Sequence, residues 1–169
     1  MQTSYCKTFA SPLGDMTAVS DGVSLTALTF CGQKYYEKEV PADASFRQLA
    51  VFDEVEKWLA VYFRGGRPDF LPPVKLSGSS FQQQVWEILK RIPYGETVTY
   101  GDIAKEIARE RGIRTMSAQA VGGAVGRNPV AILVPCHRVI GKDGSLTGYA
   151  GGLERKMKLL EIEGCDYKQ

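Results

Sequence analysis

Residues 117–139 read SAQAVGGAVGRNPVAILVPCHRV, and the rest of the chain is organised around this stretch. Ser117 is a residue type that caps helices, because its hydroxyl can accept from a backbone N–H of the first turn. The run from Ala118 to Val125 is a short helix built almost wholly from alanine and glycine, closed by Gly126-Arg127-Asn128-Pro129. Val130-Ala131-Ile132-Leu133-Val134 is an unbroken β-prone apolar run, the pattern of a fully buried strand. It delivers Pro135-Cys136-His137-Arg138-Val139 at its exit, where rigid scaffold would hold a reactive side chain against a cavity.

Upstream, Thr99 can cap a helix carrying Ile103, Ala104 and Ile107 and ending at Gly112. Together with the Ala/Gly helix it suggests a helix-turn-helix. Before that, Ser79 with Gln82, and Ser80 with Gln83, both read as capping boxes. The helix they open has Phe81, Val85, Ile88 and Leu89 as its buried stripe and is stopped by Pro93-Tyr94-Gly95. Downstream, 141–144 is a turn, 148–152 a flexible loop, and Leu153 to Glu163 a last helix. Towards the N-terminus, apolar residues from Phe46 to Phe63 recur at helical spacing. Residues 3–31 read as short strands broken by turns at Ser11-Pro12-Leu13-Gly14 and Ser20-Asp21-Gly22. The segment 69–78, with Pro68, Pro72 and Pro73 in and beside it, reads as a linker. The expected fold is therefore α/β (α+β) in two domains: 1–76 with an antiparallel sheet, and 77–169, mostly helical.

The 169 residues are 44% hydrophobic and 24% charged, a globular composition that excludes disorder, collagen-like repeats and a disulfide mini-scaffold. No stretch approaches the ~18 consecutive apolar residues of a membrane span, and residues 1–7 lack the hydrophobic core of a secretory signal. A cytoplasmic location without membrane association is the expectation. The net charge is +2, but 90–138 holds 8 basic and 4 acidic side chains. Such a local basic face is compatible with a polyanion, and equally with a solvated surface. The four cysteines (Cys6, Cys31, Cys136, Cys165) are scattered and only one histidine exists, so neither disulfides nor zinc are expected.

Cys136 stands out because it precedes that only histidine. A thiol reacts as its thiolate, so its proton must be removed by a base or its charge stabilised by a cation. His137 is the candidate base and Arg138 adds positive charge. Neighbouring side chains in an extended segment point to opposite faces, so the pair needs a turn or a bridging water. His137 also wants a carboxylate to orient it, which spacing does not identify. On the residues alone, a buried structural cysteine, a helix-turn-helix regulator and a thiol hydrolase with turnover all stay open. The Ala/Gly helix is a poor reader of a major groove. Its small residues suit close packing on a neighbour, or close approach to a minor groove ~6 Å wide.

Pro135-Cys136-His137-Arg138-Val139, preceded by Gly122-Gly123-Ala124 and Asn128-Pro129, resembles the signature of the O6-alkylguanine-DNA alkyltransferases, the methylated-DNA–protein-cysteine methyltransferases. The likeness runs from Phe81 through Val98 and Tyr100 to Leu159-Leu160 and Glu163-Gly164, and continues more loosely through Ser11–Gly14. It implies a ribonuclease-H-like first domain and a helix-turn-helix DNA-binding second domain. It also implies a monomeric, cofactor-free DNA repair protein acting once. The alkyl group of O6-alkylguanine, and of O4-alkylthymine, would pass irreversibly to Cys136 after the base is flipped from the duplex. By the same resemblance His137 takes the thiol proton through a water, Glu163 holds His137, and Tyr100 donates toward guanine N3. Tyr100, Ser117, Gln119, Ala120, Gly122, Arg127 and Asn128 fall at the DNA, with Ser117–Gly123 in the minor groove and Asn128 bracing the turn before the nucleophile. Arg114 is a further candidate phosphate contact. Lys156 and the Tyr149–Gly152 loop fall where the family closes its pocket. In alkyltransferase-like damage sensors the nucleophile is replaced, commonly by tryptophan; here it is present.

The sequence departs from the pattern in two ways. Where the family often inserts an arginine into the base stack, this chain has Gln119. Some relatives hold zinc in the first domain through Cys and His, and this chain offers Cys6 and Cys31 with no histidine beside them.

Overall fold

The computed structural model describes residues 3–168, which group into two compact units. Of the described residues, the first comprises those up to 77 with 129–131, and the second 78–128 with those from 132 on.

In the first unit β1 (Tyr5–Phe9), β2 (Met16–Ser20) and β3 (Leu25–Phe30) form an antiparallel meander, joined by the two expected turns. Gly14 (φ 118°) donates to Ser11 O, and Asp21 Oδ1 accepts from the N–H groups of Val23 and Ser24. The central strand β2 is buried at all five residues, so its polar members need partners. Ser20 Oγ donates to Ser24 O, and Thr17 Oγ1 lies 2.8 Å from Thr8 Oγ1 and 3.0 Å from Tyr36 Oη. After the short helix α1 (Tyr36–Glu39), helix α2 (Ala50–Phe63) buries Val51, Phe52, Val55, Leu59 and Tyr62.

The expectations for this unit need three corrections. The helix starts at Ala50, not Phe46: Ser45–Phe46 form β4, an edge strand that leaves Phe46 exposed. Because β4 runs parallel to β1, the sheet, ordered β3-β2-β1-β4, is mixed rather than antiparallel. Third, residues 130–134 are buried as expected but are not a strand. Only Val130 pairs, in a bridge to Leu28, with Leu28 N donating to Pro129 O and Ala131 N to Leu28 O. That pairing places 129–131 in the first unit, inside the range assigned to the second domain. Ile132 then takes φ 69°, a conformation costly for a β-branched residue, which ends any strand.

In the second unit the first three helix starts follow their local signals. Ser79 and Gln82 form a complete capping box on α3 (Ser80–Lys90), as do Thr99 and Asp102 on α4 (Tyr100–Arg111). Ser117 Oγ accepts from Ala120 N to cap α5 (Ala118–Gly126). Gly112, at φ 66°, ends α4 in the left-handed conformation that glycine adopts without strain. Trp86 Nε1 donates to Ala124 O at 2.9 Å, pinning α3 to α5. Two parallel two-residue strands, β5 (Val98–Thr99) and β6 (Val139–Ile140), and helix α6 (Leu153–Ile162) complete the unit. No helix among the described residues is long and apolar enough to cross a membrane.

Candidate active site

Cys136, His137 and Arg138 form one 3-10 turn leading into β6. Cys136 N donates to Val134 O at 2.8 Å around Pro135 (φ −83°, ψ 65°), an inverse γ-turn that proline's fixed φ favours. With three residues per turn, successive side chains diverge by roughly a third of a revolution. This supplies the turn that the Cys136–His137 pair requires. Asn128 Nδ2 donates to Val134 O at 2.8 Å, bracing the segment that leads into Cys136.

All three residues of the turn are buried, and the third solves the electrostatic problem of the second. His137 Nε2 lies 2.5 Å from Glu163 Oε2. Glu163 stands at the C-terminal end of α6, the negative end of the helix dipole and a poor place for a carboxylate. Its other oxygen accepts from Arg138 Nε at 2.8 Å and from Gly95 N at 3.1 Å. Arg138 Nη1 is in turn fixed by Ile92 O at 2.7 Å. Burial lowers the His137 pKa below its usual 6.5, with Arg138 and Lys156 adding to the effect and Glu163 opposing it. The imidazole is thereby held neutral, as a base must be. Burial also pushes the Cys136 thiol up, against the Asn128 hydrogen bond and the Lys156 charge. The resting group is a thiol, which a base has to deprotonate.

Lys156, on α6, is fully buried, and its Nζ donates to Val139 O at 2.6 Å and to Thr147 O at 3.3 Å. Burial lowers its pKa to about 8, with Cys136 opposing. Tyr100 opens α4, and its hydroxyl accepts from Thr147 Oγ1 at 2.7 Å. The Tyr149 hydroxyl is buried without a hydrogen-bond partner among the described residues; burial, then the Cys136 charge, raises its pKa well above 10.0.

Of the residues expected at the DNA, Ser117, Gln119 and Ala120 form the exposed first turn of α5, and Arg114 is exposed just before it. Arg127 ends the same helix, half-buried. Gly122 faces Tyr100: a Cβ there would sit 3.7 Å from the ring, an ordinary contact. At Gly123 and Gly126 a Cβ would meet nothing within 4 Å, so packing inside the unit does not demand those glycines. The small-residue face is open. Spacing could not reveal that Arg138 and Gly95 hold Glu163, that Ile92 O fixes Arg138, or that Thr147 holds Tyr100. Cys6 and Cys31 engage Ala44 O and Thr17 Oγ1, and no group of three or more metal-ligating side chains is gathered among the described residues.

Residues 4–76 match the ribonuclease-like domain of 6-O-methylguanine DNA methyltransferase, and residues 80–165 match its DNA binding domain. The chain is 40% identical over 168 residues to a methylated-DNA–protein-cysteine methyltransferase of Haemophilus influenzae, covering 99% of this chain and 90% of that one. It is 44% identical over 160 residues to the protein of the same name from Methanosarcina acetivorans, covering 95% and 98%. Among solved structures it is similar to the Mycobacterium tuberculosis OGT in complex with DNA, with a TM-score of 0.81 and 42% identity over 94% of this chain and 92% of that one. With both halves of the chain matched, this protein belongs to the 6-O-methylguanine DNA methyltransferase family.

Proposed function

We propose that Cys136 accepts the alkyl group of O6-alkylguanine in DNA, repairing the base and consuming the protein. One observation carries the assignment: a buried cysteine shares a single turn with a neutral histidine oriented by an Arg138-compensated glutamate. A bridging water passes the thiol proton to His137, and the sulfur attacks the alkyl carbon in line. The carbon–O6 bond breaks as the carbon–sulfur bond forms, and its electrons pass into the purine. Tyr100 donates a proton toward guanine N3, so the base leaves neutral, and the proton on His137 restores the phenol through solvent. The net change is thiol plus O6-alkylguanine to thioether plus guanine. A thioether has no hydrolytic exit, so each molecule acts once. O4-alkylthymine, whose alkyl group sits on an exocyclic oxygen that can likewise leave as part of the base, is a second substrate of this chemistry.

The duplex is engaged through its minor groove by the exposed face of α5, with Ser117, Gln119, Ala120 and Gly122 closest and Arg127 toward phosphate. Asn128 holds the nucleophile turn behind them. Small side chains allow close approach without base reading, which suits a protein that searches for damage in any sequence. Affinity then rests on phosphate contacts and falls with salt. The functional division lies at residue 76, the protein acts as a monomer in the cytoplasm, and no cofactor takes part. Incubation with a duplex containing O6-methylguanine, followed by intact mass and peptide mapping, tests the reading. It requires one added methyl group, on Cys136. A methyl on Cys6, Cys31 or Cys165, or repeated turnover, overturns it.

A further inference from the structure

We propose that Thr147 is a positioning residue for Tyr100, fixing which way the phenol points its proton and strengthening it as a donor to the departing purine. The inference rests on the reading of Tyr100 as the N3 donor and extends it to a residue that this reading leaves without a role.

A phenol carries one proton, so an unconstrained Tyr100 could spend it on any nearby acceptor. Thr147 Oγ1 removes that freedom by donating to Tyr100 Oη at 2.7 Å. An oxygen already accepting a hydrogen bond directs its own proton elsewhere, and donor chains of this kind strengthen each link. Withdrawal of electron density by the threonine also makes the phenol a stronger acid. Thr147 opposes the effect of burial, which raises the Tyr100 pKa.

The threonine is itself anchored. Its carbonyl accepts from the buried Lys156 Nζ at 3.3 Å, and its neighbour Leu146 donates from the backbone to Lys168 O at 3.0 Å. The ring of Tyr100 has Gly122 on one side. Position and proton direction are therefore set by two different elements, the α5 face and the segment before the Tyr149 loop. A residue of similar size without a hydroxyl would keep the first and lose the second.

The test uses the intact protein with free O6-benzylguanine, and with its 3-deaza analogue, in which C–H replaces N3. Thr147→Val should slow alkylation by O6-benzylguanine about 3- to 10-fold, the scale of one neutral hydrogen bond. It should change the rate with the 3-deaza analogue less than about 2-fold. Thr147→Ser, which keeps the hydroxyl, should restore most of the rate, and both variants should keep the parent melting temperature. A merely structural role would slow both substrates alike, and that result overturns the proposal. So does an unchanged Thr147→Val rate where Tyr100→Phe is slow. If Tyr100→Phe itself reacts at the parent rate, the N3-donor reading falls and takes this inference with it.

Discussion

Arg138 Nε donates to Glu163 Oε1 at 2.8 Å, on the carboxylate oxygen that His137 leaves untaken. Besides the Gly95 N–H, the glutamate thus serves two side chains of different kind, a permanent cation and a base that must remain neutral until it accepts a proton. Were His137 the only partner, a buried carboxylate would pull the imidazole toward its charged form before any thiol proton arrived. With Arg138 beside it, the resting charge is already balanced.

That arrangement makes Glu163→Gln costly in two separable ways. Transfer should slow by about 10²–10⁴-fold, the usual range for lost acid–base assistance. Stability should fall by about 3–5 kcal/mol, because the variant leaves the Arg138 cation buried without its counter-ion. The double variant Glu163→Gln with Arg138→Met should recover stability in urea unfolding while the single-turnover rate stays low. A parent-like rate in the single variant would remove Glu163 from the mechanism.

Stability against pH should carry the signature of His137, which is the sole histidine of the chain. Burial depresses its folded-state pKa below the 6.5 of the unfolded chain. Between those two values the unfolded state binds the extra proton, so stability is intact above pH 6.5 and is lost as pH falls through the folded pKa. Urea midpoints measured from pH 8 to 5 should decline from about pH 6.5 downward. The decline should be absent in a folded His137→Gln variant, and a flat parent profile would contradict the buried neutral imidazole.

Trp86 offers a test of how α5 is held. Its indole N–H donates to Ala124 O from a buried position. Trp86→Phe removes the donor, leaves a gap, and should destabilise the protein by about 1–3 kcal/mol. Because α5 carries the proposed DNA face, duplex affinity should drop while the rate with free O6-benzylguanine changes less. Denaturation, DNA binding and single-turnover kinetics together check the assignment.

What could be read from the sequence was mostly local. Ser79, Thr99 and Ser117 announce helix starts because a cap and its recipient N–H lie within three residues, and all three caps form. The apolar run at 130–134 misled because burial and strand pairing leave the same pattern in a short segment. The run pairs only at Val130, with Leu28 102 residues away in the sequence, and Ile132 takes φ 69° two residues on. Phe46 fits the helical stripe by spacing, but the strand it joins depends on the edge of β1, which pairs with Ser45 from far along the chain. At the site, Cys136 and His137 are adjacent and so visible. The contacts of Glu163 with Gly95 and of Tyr100 with Thr147 span 68 and 47 residues, beyond any local pattern. Glu163 and Tyr100 fall on motif positions of the resemblance, whereas Thr147 becomes visible only through its contact with Tyr100.

Gln119 lies on the exposed first turn of α5, where the family often has an arginine that fills the space of the flipped base. A guanidinium can stack on bases, donate several hydrogen bonds and stay charged, whereas a glutamine amide is neutral and shorter. Extruding a nucleotide costs a few kcal/mol, somewhat less at a damaged base. Gln119 should therefore leave the flipped state less populated than an arginine would. Gln119→Arg is expected to speed transfer from a duplex several-fold and to leave the rate with free O6-benzylguanine unchanged, since the free base needs no flipping. The exposed position makes the variant easy to accommodate, so a folding defect should not obscure the result. Single-turnover rates on both substrates decide the matter: equal acceleration on the two, or none on either, would mean that position 119 takes no part in extrusion.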